Sequence, residues 1–310
     1  MEAAAFEKAW IILNPVAGKG KAVTHLPGIK NYLEEHRQNF EIILTTGPGH
    51  ALELARNCPP GDAVIAAGGD GTCNEVANGL LTRQNPPPEP PLFGILPIGR
   101  GNDFSFTAGI SPEPEKALDI ILQKKARPLD AGFVKGGFFP EGRYFVNGLG
   151  IGFDTKVGFE AVKMKKIHSS LSYALGALIT MIKYEPSPVL RIRYNEKEMT
   201  LPAVIVSIMN GRRMGGIFFM GPNALLDDGA LDICTIRHPR SRRRLIQLIL
   251  KYLKGAQGEA EETFMDRAAH YRLTALEGGM AAHCDGETVC VEGTELEISC
   301  LPGALRLLGA

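Results

Sequence analysis

The sequence predicts an α/β domain followed by a β-rich one, and three observations carry that reading. The chain has 310 residues, which at about 150 residues per domain suggests two domains. Up to Asp130, short apolar runs alternate with segments of helical spacing. Beyond Asp130, β-rich runs follow one another, separated by Gly, Pro, Asn and Asp.

Taken in order, 10–13, 40–44, 63–67 and 92–96 read as buried strands, with helices at 21–36, 50–57 and 74–81 between them. Strands alternating with helices give βαβ units and a mostly parallel sheet, hence a three-layer α/β domain. Residues 86–91, Pro-Pro-Pro-Glu-Pro-Pro, read as a stiff surface loop. Further on, 143–147, 189–194, 203–209, 230–236, 271–275 and 294–299 favour an antiparallel sandwich or barrel. Two helices interrupt these runs, at 169–183 and 241–254. The first of them carries Leu171, Leu175, Leu178, Ile179 and Ile182 on one face. The boundary falls in Asp130-Ala131-Gly132 and the Gly136-Gly137 turn. That divides the chain into 1–132 and 133–299, with 300–310 able to return to the first domain.

Composition removes several classes of function. Thirty-four basic residues balance 34 acidic ones, whereas a dedicated nucleic-acid binder carries a basic excess. The N-terminus, Met1-Glu2-Ala3-Ala4-Ala5-Phe6-Glu7-Lys8, lacks the apolar core of a signal peptide. The most apolar later stretch, 173–182, is about half of what a membrane span needs. A cytoplasmic chain with peripheral membrane contact is therefore expected. Its six cysteines are scattered without metal spacing and read as reduced, buried small hydrophobes.

The chemistry concentrates in Ala67-Gly68-Gly69-Asp70-Gly71-Thr72-Cys73-Asn74-Glu75. This segment leaves an apolar strand and opens a helix, at the carboxyl edge of a parallel sheet, where ligands bind. Glycines let the backbone approach a ligand, and N–H groups at a helix start favour phosphate. Asp70 would repel a bare phosphate, so the loop suits a metal-nucleotide complex; alone, it reads equally well as a tight turn whose Asp caps the helix. Two neighbours tip the balance. Asn14-Pro15-Val16-Ala17-Gly18-Lys19-Gly20 follows the first strand and Gly99-Arg100-Gly101-Asn102-Asp103-Phe104 the fourth, so three such loops share one rim. The Walker pattern fails because Gly18-Lys19 is followed by Gly20, and the dinucleotide pattern fails because Gly148-x-Gly150-x-Gly152 lacks the last spacing.

Asn14-Pro15-x-Ala17-Gly18, Gly68-Gly69-Asp70-Gly71-Thr72 with Asn74-Glu75, Gly99-x-Gly101-Asn102-Asp103-Phe104 and Asp285-Gly286-Glu287 together resemble the diacylglycerol-kinase catalytic-domain family. Sphingosine kinases and bacterial soluble lipid kinases belong to it. The resemblance runs through nearly the whole chain, in order. It implies an N-terminal α/β nucleotide-binding domain of the NAD-kinase and diacylglycerol-kinase type, a C-terminal antiparallel β-sandwich, and an active site in the cleft between them. The implied activity is ATP- and Mg²⁺-dependent phosphorylation of a lipid hydroxyl, most simply diacylglycerol to phosphatidic acid. Carried over residue by residue, Gly69, Asp70, Gly71, Thr72, Asn74 and Glu75 would line the ATP site, with Asn14 and Thr46 nearby. Asp70 and Asp103 would hold the catalytic Mg²⁺. Arg100 stands where the family usually has Thr, and fits either a direct phosphate contact or an outward-pointing side chain.

From the residues alone, Asp285-Gly286-Glu287 is a hairpin turn between two β-runs. The resemblance makes Asp285 the base that accepts the acceptor-hydroxyl proton, with Glu287 its alternative or a partner in the metal network. Leu225-Leu226-Asp227-Asp228-Gly229-Ala230 resembles the family's structural Mg²⁺ loop, which implies Asp228 by its side chain and Leu225 and Ala230 by their carbonyls. An Asp-Gly hairpin turn is the plainer account.

The lipid end is less legible. Gly215-Gly216-Ile217-Phe218-Phe219-Met220 fits the border of an acyl-chain groove or a plain core strand. Lys163-Met164-Lys165-Lys166 is a basic flank to the 169–183 helix. Arg237-His238-Pro239-Arg240-Ser241-Arg242-Arg243-Arg244 fits an anionic-lipid contact or a solvated helix start. His50 and His283 fall near the implied cleft. Expected partners are thus a membrane lipid at the bilayer surface and anionic lipid, with no nucleic acid; edge strands of the β-rich domain could pair in a homodimer. Competing readings are a soluble-substrate kinase, since NAD kinase shares the Gly-Gly-Asp-Gly-Thr loop, and a regulator that binds lipid or nucleotide without catalysis.

Overall fold

The computed structural model describes residues 2–3, 6–84, 88–157 and 187–309. The expected 169–183 helix and its Lys163–Lys166 flank lie outside the described residues, as does part of the proline-rich loop. The chain separates into two compact units. One comprises Met1–Ala131, Leu226–Asp228 and Leu301–Ala310, the other Gly132–Leu225 and Gly229–Cys300.

The first unit is built on parallel strands β2 (Lys8–Leu13), β3 (Asn39–Leu44), β4 (Ala63–Gly68) and β5 (Leu92–Pro97), in the order β3-β2-β4-β5. Arg306 and Leu307 add a further parallel pairing beside β5, and a short β1 (Glu2–Ala3) pairs with β6 (Lys125–Gly136) through Ala126 and Lys125. Every residue of β4 and β5 is buried, because helices cover both faces of a parallel sheet. Helices α1 (Lys21–Glu35) and α5 (Pro114–Leu122) pack together, as do α2 (His50–Asn57) and α3 (Asp70–Leu81). The register pairs Leu13 with Ala67 and Gly68 with Pro97. Three strands therefore end level, and their following loops leave from one edge.

The second unit is antiparallel throughout. One sheet joins β8 (Gly148–Gly152), β10 (Lys197–Met209), β11 (Leu231–Arg237), β12 (Thr263–Ala268), β14 (Met280–Cys284) and β15 (Glu287–Gly293). The other joins β9 (Val189–Tyr194), β13 (His270–Glu277) and the start of β16 (Glu295–Leu308). Strand β10 belongs to both: Lys197–Pro202 pairs with β9, and Ala203–Met209 with β8 and β11. A strand that changes sheets makes the corner of a sandwich. Its core includes Phe145, Leu149, Leu190, Val206, Ile233 and Leu273, all fully buried. Between β6 and β8 runs β7 (Phe139–Phe145), which pairs with β6 through Gly132–Phe145 and Val134–Arg143.

One expected element shifts: the run expected at 143–147 is the end of β7 and a turn. Strands β6, β8 and β12 had no strand forecast. The six cysteines are free and buried. Among the described residues, no helix is long and apolar enough to cross a membrane.

Candidate active site

At the level edge of the parallel sheet the backbones of three loops lock together. Asn14 N donates to Ala67 O at 2.9 Å, and Ile98 N to Gly68 O at 2.8 Å. Asn14 Nδ2 donates to Thr72 Oγ1 at 3.2 Å, while its Oδ1 accepts from Val16 N at 3.1 Å. Gly69 and Gly99 touch through their backbones: a Cβ on Gly99 would overlap the Cα of Gly69. Gly99→Ala should therefore cost about 1–3 kcal/mol through overpacking. Thermal unfolding checks it, and an unchanged Tm would contradict the close approach.

That approach brings two carboxylates to one place. Asp70 is the first residue of α3 and Asp103 the first of α4 (Asp103–Ala108). Asp70 Oδ1 accepts from Phe104 N at 3.0 Å, so this carboxylate caps the neighbouring helix rather than its own. Gly101 serves as a ruler: a Cβ there would stand 2.9 Å from Asp70 Oδ2 and 3.5 Å from Asp103 Oδ2. The missing side chain leaves an opening faced by one oxygen from each carboxylate. Asn102, held left-handed at φ 51°, has a buried Oδ1 with no hydrogen-bond partner, close to Gly99. Hard oxygen donors facing one small cradle suit Mg²⁺, which takes one or two carboxylates and keeps its remaining positions for water and phosphate. The residues fit the expected ion.

The other candidate nucleotide residues divide. Gly71 is exposed, Gly69 is partly exposed, and Thr72 is buried against Asn14. Thr46 is exposed, and its N donates to His50 Nδ1 at 3.0 Å. Arg100 is exposed, with no hydrogen-bond or ion-pair partner among the described residues. Two expectations need correction. Asn74 is fully buried and accepts from Asn78 Nδ2 within α3, at 2.9 Å on O and 3.2 Å on Oδ1, so its side chain braces the helix from inside. Glu75 turns to the start of α2, accepting from Gly49 N at 2.9 Å and Ala51 N at 3.2 Å. Its charge suits that helix N-terminus, and it fastens α2 to α3 rather than lining a ligand surface.

In the second unit, Asp285 (φ 45°) and Gly286 (φ 86°) form the two-residue turn between β14 and β15. The Asp285 carboxylate is gripped by three successive backbone donors: Val146 N at 2.8 Å, Asn147 N at 3.2 Å and Gly148 N at 2.8 Å. Its own N donates to Gly148 O at 3.0 Å. The side chain is thereby fixed in direction and only half-buried. Glu287 is otherwise engaged: both oxygens meet Arg143 Nε and Nη2 at 2.7 Å, a bidentate ion pair. Beside them, burial pushes the Cys284 thiol well up, and the charges of Asp285 and Glu287 push it further.

The same unit holds a polar pair of which His283 was noted in the sequence and Asp154 was not. Asp154 Oδ2 lies 3.6 Å from His283 Nε2, both side chains being largely buried. Asp154 Oδ2, His283 Nδ1 and Asn147 Oδ1 are buried without hydrogen-bond partners. The signal for it was Gly148-x-Gly150-x-Gly152. A Cβ on Gly150 would overlap Asp154 Oδ2 and crowd His283 Nε2, so the alternation that fails as a dinucleotide motif opens room for this pair.

The candidate structural-metal residues fall in a bent segment in which Asp228 is exposed. Asp228 groups with the first unit, Leu225 and Ala230 with the second. Asp227 faces Arg127 at 3.9 Å, and Leu226 O accepts from Asp130 N at 2.7 Å. Among the described residues, no three metal-ligating side chains cluster.

These arrangements agree with what the chain resembles. Residues 8–134 match the model of the diacylglycerol kinase catalytic domain, and 148–309 that of the YegS C-terminal NAD kinase beta sandwich-like domain. A relative from Enterobacter sp., named probable lipid kinase YegS-like, is 32% identical over 286 residues, covering 90% of each chain. The diacylglycerol kinase of Bacillus subtilis is 29% identical over 285 residues, 91% of this chain and 90% of its own. A crystal structure of a candidate diacylglycerol kinase from Bacillus anthracis superposes with a TM-score of 0.77 at 28% identity, covering 98% of both chains. With both domain models in order and a relative above 30% identity over most of its length, the chain belongs to the diacylglycerol-kinase catalytic-domain family of lipid kinases.

Proposed function

We propose that this kinase transfers the γ-phosphoryl group of Mg-ATP to the hydroxyl of a membrane lipid, with diacylglycerol as acceptor and phosphatidic acid as product. The single observation carrying the reading is the pair of carboxylate oxygens, from Asp70 and Asp103, that face the opening left by Gly101. Two more features support it: a third carboxylate, Asp285, held by backbone donors in the other unit, and relatives named as lipid and diacylglycerol kinases.

In this reading the donor half of the reaction belongs to the loops after β2, β4 and β5. Gly69, Gly71 and Thr72 offer backbone N–H groups and a hydroxyl at the start of α3 to phosphate oxygens. Arg100 pairs with a phosphate, and Asn14 keeps Thr72 oriented. Mg²⁺ on Asp70 and Asp103 supplies neutralisation of charge on the transferring group. Asp285 accepts the acceptor-hydroxyl proton. The hydroxyl oxygen bonds to the γ-phosphorus as the bond to the β–γ bridging oxygen breaks, and ADP leaves with that electron pair. Arg143 holds the Glu287 carboxylate in place through its bidentate ion pair.

ADP release from Mg-ATP tests the proposal, with diacylglycerol, sphingosine, phosphatidylglycerol and NAD offered in turn and lipids in mixed micelles. Turnover on diacylglycerol is expected. Turnover on NAD alone would move the chain to a soluble substrate, and ATP binding without any turnover would make it a regulator. We further propose a structural Mg²⁺ on Asp228 with the carbonyls of Leu225 and Ala230. Asp228→Ala should then lower Tm and abolish its Mg²⁺ dependence while KM for ATP stays put. Equal melting curves with and without Mg²⁺ in the unsubstituted protein would rule the ion out.

A further inference from the structure

The helix Arg242–Tyr252 has two apolar faces, and only one is covered. Leu245, Leu248 and Tyr252 are buried with Val204, Ile205, Cys234 and Ile236 in the second unit's core. Ser241 caps the helix, its Oγ accepting from Arg244 N at 3.2 Å. On another side, Ile246, Leu250 and Leu253 are 44%, 54% and 38% exposed. Leu253 keeps helical φ/ψ just past the last turn. At about 100° per residue the three lie within an arc of roughly 60°, with Arg243 and Lys254 within roughly 40° of Leu250. Large aliphatic side chains aligned on one exposed stripe mark an interaction surface rather than scattered surface residues.

The charge on that stripe has one sign. Residues 240–254 hold six cationic side chains and no acid. Arg244 is tied up by both oxygens of Glu262, and Lys251 by Glu259 at 2.7 Å. Arg243 and Lys254, the two that edge the apolar stripe, are exposed and have no ion-pair or side-chain hydrogen-bond partner among the described residues. The Gly215–Phe219 loop meets the helix at its C-terminal end. Phe219 N donates to Tyr252 O at 2.9 Å, and Gln257 Nε2 to Phe219 O at 2.6 Å. In the same loop Ile217 is 39% exposed.

We propose that this face, Ile246, Leu250, Leu253 and Ile217 edged by Arg243 and Lys254, docks on the surface of an anionic phospholipid bilayer. The helix would lie in the interface plane, with its outward aliphatic residues entering the headgroup–acyl boundary. Long basic side chains can bury their stems there while keeping their heads among phosphates. The charge complementarity selects this occupant: cations of one sign around aliphatic groups match an anionic lipid surface. The inference deepens the proposed function and rests on it for its purpose, since docking would bring the enzyme to a lipid acceptor.

The test uses the full chain and vesicles of phosphatidylcholine, with or without phosphatidylglycerol, sedimented in the absence of nucleotide. The unsubstituted protein should bind the anionic vesicles preferentially, and less as salt rises. Leu250→Asp should weaken binding more than tenfold. Arg243→Gln and Lys254→Gln should each weaken it about fivefold. Phosphorylation of a short-chain, monomerically dispersed diacylglycerol should be unchanged in all three. Leu250→Gln, with circular dichroism and Tm, guards against loss of folding. Binding by the variants equal to that of the unsubstituted protein overturns the proposal. So does a dimer, seen by analytical ultracentrifugation, that Leu250→Asp splits without changing vesicle binding, because the face would then belong to a second copy. Anionic-vesicle binding that depends on these residues, with no phosphorylation of any lipid, would leave the docking surface standing and remove the proposed function instead.

Discussion

Asp285→Asn is expected to lower kcat on diacylglycerol by about 10²–10⁴-fold, the usual contribution of a positioned proton acceptor, with ATP affinity little changed. The amide is nearly the same shape but cannot take a proton at working pH. Its environment makes the test demanding. The carboxylate accepts from Val146 N, Asn147 N and Gly148 N, and an Asn can turn only one oxygen to those donors while its NH₂ opposes another. Stability should fall by about 1–3 kcal/mol from that mismatch. Activity must therefore be normalised to folded protein, measured by thermal unfolding in the same buffer. A folded variant with near-normal kcat would remove Asp285 from proton transfer and leave it as the clamp on the turn between β7 and β8.

Asp70→Asn should act on the donor half. One oxygen can still accept from Phe104 N, as Asp70 Oδ1 does at 3.0 Å, so α4 keeps its cap. The other position, now an uncharged NH₂, faces the cradle that it shares with Asp103 Oδ2. Losing one of two anionic donors for a divalent ion should weaken Mg²⁺-dependent ATP binding by about 100-fold, the upper range for perturbing a metal site, and reduce turnover with it. Isothermal titration with Mg-ATP, and with ATP in EDTA, separates the effects. Affinity for metal-free ATP should be equal or higher, because a like charge beside the phosphates is gone. Equal Mg-ATP affinity in both proteins would refute the metal assignment.

Much of the scaffold was legible in contiguous residues. The strands 10–13, 40–44, 63–67 and 92–96 sit inside β2 to β5, because short, mostly apolar runs bounded by glycine or a polar turn suit strands; β4 and β5 are buried as expected, whereas β3 is the edge strand and none of its residues is buried. The edges were harder. Helix α3 begins at Asp70 rather than at 74, since the glycine loop supplies the first turn itself and glycine disguises helical spacing. Strand β10 starts at Lys197, six residues before the apolar run that marked it. That polar opening, Lys197-Glu198-Met199-Thr200, belongs to the other sheet, where β9 is its partner. Strand β16 outruns its expected end at 299 and continues to Leu308; its last residues pair with β5, a partner roughly two-thirds of the chain away that no local pattern announces.

By itself the sequence determined the fold class and the three glycine-rich loops with Asp70 among them, while Asp103 and Asp285 entered as candidate chemistry only through the family resemblance. Short-range patterning decides those things, because turn residues and strand periodicity act over a few neighbours. The tertiary structure decided which partners these carboxylates meet. Asp70 meets Phe104 across 34 residues, Glu75 meets Gly49 across 26, and Glu287 meets Arg143 across 144. Those pairings are long-range hydrogen bonding and electrostatics, which residues neighbouring in the sequence do not announce.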